Sequence, residues 1–263
     1  MKKLLIILFT IFFSTNFSVV YSKGEKYIDN DWNMTFYNHC GFPSSEGKKQ
    51  NVKWVKKDEN KFLRFSLYNG QVGKCSNDDK KRIKGEPYTE RADIKQWSKL
   101  EKGSQYEISF RFRIVEGFKS KKEKFFKISS QGSKSSNKCS KTLLFLQFSG
   151  KNNPKGLRLH LLDLTSNQQT FKKYKLEHNH SKIQVHKLYN KWIKLKFLIN
   201  FKEKDAKVDL FFNEEKIVNR FKFDVPCNDL KISIGLERHG SSKKKHALSV
   251  IDYDKFIVNK ANL

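Results

Sequence analysis

The sequence predicts an all-β protein, a sandwich or barrel built from many short strands, and three observations carry that prediction. Apolar and polar residues alternate with a period of two in one segment after another, as in strands with one buried face. Those segments are rich in aromatic and β-branched residues, with 23 Phe in a chain of 263 residues, and such side chains fit a pleated, half-buried surface. No apolar stripe at three-and-four spacing runs far enough to build a helix.

Taken in order, the alternation predicts strands over residues 62–67, 106–115, 142–148, 157–161, 192–201, 208–212, 230–236 and 248–258. Turn residues fall between the apolar runs at Asn69-Gly70, Asn153-Pro154 and Asn213-Glu214. The polar stretches near 120–141 and 240–245 read as loops. With no Pro- or Gly-rich tract and no internal repeat, one domain is expected.

The N-terminus has a different grammar. Two lysines at positions 2 and 3 precede an apolar run from Leu4 to Phe13, and small or polar residues follow up to Ser22. That is the order of a secretory signal, with Val20 and Ser22 suiting a cut before Lys23. Residues 1–22 are thus expected to be a signal peptide and 23–263 the mature domain. The expected location is periplasmic or secreted. No second apolar stretch approaches membrane-spanning length, so no membrane span is expected in the mature protein.

The formal net charge is +27, from 54 Lys+Arg against 27 Asp+Glu. A surface so basic favours polyanions. Nucleic acid is the commonest of these, but an exported protein seldom meets it and no nucleic-acid motif is present. An acidic polysaccharide or an anionic envelope surface is the expected partner, and a monomer the expected state. The four cysteines, Cys40, Cys75, Cys139 and Cys227, suit two disulfides in an oxidising compartment. Three pairings are open, and separation along the chain favours Cys40 with Cys75 and Cys139 with Cys227. None has a close-spaced partner of the kind a zinc site uses. No nucleotide cofactor is expected, and no oxygen-rich loop demands calcium, although a structural calcium is compatible with such folds.

Alternation also sorts side chains onto faces. In ERADIKQ, Arg91, Asp93 and Lys95 share one face. In GLRLHLL, Arg158 and His160 turn outward together, and in LLFLQF Gln147 lies opposite Leu144, Leu146 and Phe148. In KISIGLERHG, Ile232, Ile234 and Leu236 point inward and leave Lys231, Ser233, Glu237 and His239 outward. Arginine is rare in this lysine-rich chain, yet Arg91, Arg158 and Arg238 fall in these segments. Arginine grips carboxylates bidentately, where lysine acts as a point charge.

At these residues the sequence resembles the jelly-roll polysaccharide lyases, the group of glucuronan lyase, heparin lyase I and the alginate lyases. ERADIKQ and the strand after it resemble the family's R-x-E-L segment. LLFLQFSG resembles its Q-x-H strand, residues 192–213 its Trp-initiated strand and hairpin, and KISIGLERHG its K-x-G-h-Y-R strand. The similarity is colinear over most of residues 30–258. It implies a two-sheet β-jelly roll, a concanavalin A-like sandwich, whose cleft binds a uronate polymer and cuts it by β-elimination. In that reaction a carboxylate-binding group stabilises the charge that develops, a base removes the C5 proton and an acid protonates the departing O4.

Residue by residue, Arg91 matches the family arginine, Gln147 the family glutamine, and Asp93 replaces a glutamate. Ser149 stands where alginate lyases carry a histidine, and Glu237 stands where a tyrosine is expected. The candidate catalytic residues are therefore His160, Gln147, Arg91 and Glu237, with His160 as base. Either His239 or Tyr253 is the candidate acid. Asp93, Lys95, Arg158, Lys231, Arg238 and His239 are the candidate substrate contacts, and no metal ligand is expected. Two other readings stay open: an acidic-glycan-binding jelly roll without catalysis, and a glycoside hydrolase using Asp93 and Glu237 as its carboxylate pair.

Overall fold

A computed structural model describes residues 26–27, 29, 31–38, 51–73, 88–96, 99–116, 118, 122–131, 141–149, 156–164, 170–179, 181–201, 205–240 and 246–261. The expected signal peptide, Cys40, Cys75, Cys139 and Asn153-Pro154 lie outside the described residues.

Alternation has produced strands throughout. The chain runs through β1 (Lys26–Tyr27), β2 (Phe36–Asn38), β3 (Val52–Lys57), β4 (Asn60–Leu67), β5 (Thr89–Gln96) and β6 (Leu100–Glu101). It continues through β7 (Gln105–Ile114), β8 (Lys124–Gln131), β9 (Thr142–Ser149), β10 (Gly156–Asp163), β11 (Thr170–Lys175), β12 (Glu177–His178) and β13 (Ser181–Lys182). The last strands are β14 (Ile193–Asn200), β15 (Ala206–Phe212), β16 (Glu215–Phe223), β17 (Asp229–His239) and β18 (Ser249–Ala261). One 3-10 turn, Val185–Leu188, is the helical element among the described residues.

Two large sheets result, and every strand pair in them is antiparallel. The first has nine strands in the order β1-β2-β5-β17-β8-β9-β10-β11, with β6 added beside β17. The second has seven, β16-β15-β14-β7-β18-β4-β3. This is a two-sheet β-jelly roll, as expected.

Aromatic residues join the sheets. Phe126 of β8 stacks on Phe197 of β14 at 4.7 Å and on Phe110 of β7 at 5.2 Å, and Phe110 stacks in turn on Phe256 of β18 at 5.2 Å. Burying each ring contributes on the order of 2–3 kcal/mol, and each well-placed ring pair about 1 kcal/mol more.

Three local features depart from the sequence reading or sharpen it. Residues 124–131, read as part of a loop, form β8 in the middle of the nine-stranded sheet. Phe125 and Phe126 are both buried there, because the register against β9 shifts between Lys124 and Phe126. That bulge hides the alternation. The Asn213-Glu214 turn has φ of 46° and 73°, the left-handed pair of a tight hairpin. Cys227 is buried, and the three cysteines with which it could pair lie outside the described residues.

Candidate functional site

The two faces of the nine-stranded sheet differ in chemistry. Ala92, Ile94, Ile232, Ile234, Leu236, Ile128, Leu144, Leu146, Leu159 and Leu161 face the core. The intervening residues form the outer face, and backbone pairing sets them in register across the strands. One row reads Lys26, Tyr37, Lys95, Ser233, Lys127, Phe145, His160 and Lys173, each residue the direct cross-strand partner of the next. At about 4.8 Å per strand, the row spans about 34 Å. A second row reads Arg91, Glu237, Lys124, Gln147, Arg158 and Lys175.

Asp93, Lys95, Lys231, Phe145 and His160 are each less than a tenth exposed although they point away from the core. The face is therefore recessed. Cations dominate its floor: Arg91, Lys95, Lys124, Lys127, Arg158 and Lys231 outnumber Asp93 and Glu237.

Glu237 sits at the centre. Its carboxylate accepts hydrogen bonds from Lys124 Nζ and Lys127 Nζ, both at 2.7 Å, and pairs with Arg91 Nη1 at 3.1 Å. Arg91 also reaches Asp93 at 3.6 Å. Burial by itself would raise the Glu237 carboxyl, but Lys127, Lys124 and Arg91, with the hydrogen bond from Lys124, outweigh it and hold the group well below the usual carboxylate range. It is an ionised carboxylate locked among three cations.

The backbone makes this arrangement possible at Gly235. Its φ is +124°, and a Cβ there would lie 2.2 Å from the Ala92 carbonyl oxygen. Between Ile234 and Glu237 the register of β17 against β8 shifts, so the chain bulges opposite Phe125. Tyr253 holds the bulge from the core side, donating its hydroxyl to the Phe125 carbonyl, with the Gly235 carbonyl at 3.5 Å.

His160 lies further along the first row. Its ring stacks on Phe145 at 4.2 Å with an interplanar angle of 15°, and its buried Nε2 has no hydrogen-bond partner among the described residues. Burial, then Lys173, Arg158 and Lys124, push its pKa down to about 4. It is neutral at ordinary pH and a weaker base than a free imidazole. Gln147 donates from Nε2 to the Lys122 carbonyl at 2.8 Å.

The outer face thus gathers Arg91, Asp93, Lys95, Gln147, Arg158, His160, Lys231 and Glu237. His239 shares that face at the exposed end of β17, opposite Thr89. Two further expectations are corrected. Arg238 is not a substrate contact: with Glu237 and His239 outward, alternation sends it into the core, fully buried. There its Nη1 bonds Glu123, the Ala247 carbonyl and Ser249 Oγ, and its Nε bonds Glu90. Tyr253 is fully buried, which raises its pKa well above that of a free tyrosine although the Gly235 carbonyl pulls the other way, and its hydroxyl is turned to backbone in the core, so it does not serve as acid.

Sequence reasoning missed Tyr37, Lys124, Lys127, Phe145, Lys173 and Lys175. Lys124 and Lys127 were hidden by the bulge in β8, and Tyr37 by the brevity of β2. Among the described residues, no group of three or more His, Cys, Asp or Glu is placed to hold a metal. No helix among them is long and apolar enough to cross a membrane.

No family model matches the sequence, and no curated protein matches it either. Solved structures do match. A marine family 7 alginate lyase from Zobellia galactanivorans is similar over 89% of this chain and 83% of its own, with a TM-score of 0.53 and 12% identity. An alginate lyase from Pseudomonas aeruginosa is similar over 79% of this chain and 86% of its own, with a TM-score of 0.54 and 12% identity. This chain has the alginate lyase fold. A substrate complex of a variant of the family 7 alginate lyase A1-II′ is also similar, over 82% and 84% of the two chains, with a TM-score of 0.52 and 9% identity. On the alginate lyase fold of this chain, Glu237 and Ser149 fill the two positions where the sequence resemblance expects a tyrosine and a histidine.

Proposed function

We propose that this protein is an exported, lyase-like protein that binds an acidic polysaccharide across the nine-stranded sheet and cuts it by β-elimination at a uronate residue. The observation that supports this reading is the pair of registered rows, in which cations recur on neighbouring strands along a recessed floor. A polymer with a carboxylate on each sugar has the complementary pattern, and recessed cations hold it more firmly than exposed ones. The fold and the substrate complex of a structural neighbour agree with this assignment. So does the signal-like N-terminus, which would place the protein where such polymers occur.

Elimination suits the site better than hydrolysis. Arg91 and the lysines around it can neutralise a uronate carboxylate and so acidify the adjacent C5 proton. A hydrolase would need either Asp93 or Glu237 to hold a proton, and Arg91 bridges both carboxylates. No step requires a cofactor.

The test is to incubate the mature protein with glucuronan, alginate, heparin and pectate and to follow the ultraviolet absorbance of the unsaturated uronate. A rise on one of these polymers is expected. Salt-sensitive binding without any rise would leave a glycan-binding jelly roll, the reading that the caged Glu237 favours. Neither binding nor a rise on any polyuronate would dispose of both.

A further inference from the structure

Beyond the Glu237 cage, the floor holds a second group, in which Lys95 and Lys231 from the sequence motifs meet Tyr37, which no motif touches. Tyr37 on β2 faces the recess, whereas Tyr27, Tyr106 and Tyr253 belong to the core and Tyr174 packs on Phe221. The direct cross-strand partner of Tyr37 is Lys95 on β5. Lys231 Nζ lies 3.3 Å from Tyr37 Oη and 5.2 Å from the centre of its ring. Lys95 and Lys231 are 6% and 8% exposed, so two ammonium groups and a phenol share a space with little water.

We infer that Lys95 and Tyr37 carry the two proton transfers of the elimination, Lys95 as base and Tyr37 as acid. This rests on the polyuronate reading above and supplies the proton-transfer pair that Glu237 and His160 do not. Burial, Lys127 and Lys231, with a smaller push from Arg91, outweigh the pull of Asp93 and lower the Lys95 amine to about 8. A lysine so placed carries a useful fraction of free base at mildly alkaline pH, and a general base works best with a pKa near the operating pH.

The step balances without any added reactant. A uronate carboxylate seated against Lys231, Lys127 and Arg91 presents its C5, one bond from the carboxyl carbon, to Lys95. The Lys95 Nζ lone pair takes the C5 proton. The electrons of the C5–H bond form the C4–C5 double bond as the C4–O4 bond breaks, and O4 leaves with the proton of Tyr37 Oη. Lys95 is then an ammonium and Tyr37 a phenolate, and transfer of one proton from the first to the second restores both. Lys231 is a positioning residue: its charge orients the phenol and stabilises the phenolate.

The experiment compares the mature wild type with Lys95→Arg, Tyr37→Phe and Lys231→Met, measuring unsaturated product and, separately, polymer binding. Lys95→Arg keeps the charge but cannot act as a base. It and Tyr37→Phe should each cut about 100-fold or more slowly, with binding and thermal midpoint close to wild type. The wild-type rate should rise toward about pH 8, and Lys231→Met should move that rise to higher pH, because one of the charges lowering Lys95 is gone. A Lys95→Arg or Tyr37→Phe protein that cuts at the wild-type rate would overturn this pair and leave the lyase reading standing. A wild type that binds polyuronate and yields no product overturns cleavage itself, and that result needs no variant.

Discussion

At the scale of single residues, the site is governed by where charge is allowed to persist. Glu237 is largely shielded from water and keeps its charge because three cations surround it; His160 loses its charge because burial disfavours it and three nearby cations add to that effect. The His160 pKa of about 4 lies below its ordinary 6.5, so above pH 6.5 the ring is neutral in both folded and unfolded chains and its contribution to stability is complete. As pH falls from 6.5 toward 4, the unfolded chain binds a proton that the native one refuses, and stability is lost. The loss is on the order of 2–3 kcal/mol by proton linkage. Denaturant unfolding at pH 7 and at pH 4.5 should therefore show a smaller loss for His160→Phe than for wild type. Equal losses would mean that His160 is not held neutral.

At the scale of elements, β17 carries the most information. It supplies Lys231, Ser233 and Glu237 to the floor and Arg238 to a buried network with Glu90, Glu123 and Ser249. Its bulge depends on Gly235. Any side chain there meets both a positive φ and the Ala92 carbonyl, so Gly235→Ala should cost about 3 kcal/mol or more, read as a lower thermal midpoint. It should also weaken polymer binding, since the Glu237 cage rests on the bulge. An unchanged midpoint would refute this account. The same element shows what the sequence could and could not tell. The alternation of KISIGLERHG put Lys231, Ser233, Glu237 and His239 on the correct face, and that of ERADIKQ did the same for Arg91, Asp93 and Lys95. Arg238 was misjudged because its arginine chemistry was weighed above its place in the alternation. Neither Lys124 nor Lys127 could be found, because a bulge puts two adjacent phenylalanines inside and erases the period of two in β8. Partners such as Tyr37 and Lys95 are 58 positions apart, and no local pattern announces that they meet.

At the scale of the whole molecule, the excess of positive charge is not spread evenly in function. Binding of a polyuronate along the two rows should weaken at least about tenfold between about 50 and 200 mM salt, as for other polyanions held by many cations, and a neutral glucan should show no such dependence. Binding that is indifferent to salt would remove the electrostatic basis of the proposed function. Other lysines have a different office. Among the large-sheet strands, β11 and β3 each end a sheet, and β16 ends another edge; they expose Lys172, Lys173 and Lys175, Lys53, Lys56 and Lys57, and Lys216, Arg220 and Lys222 respectively. An unpaired edge is a template on which a second chain can add its own strand, and like charges along it keep copies apart. Lys173 and Lys175 belong to both worlds, since they close the two rows and guard an edge. A long polyanion lying across β11 would neutralise that guard, so a loaded molecule is less repelled by its neighbours than an empty one, and several copies can crowd along one chain of sugar.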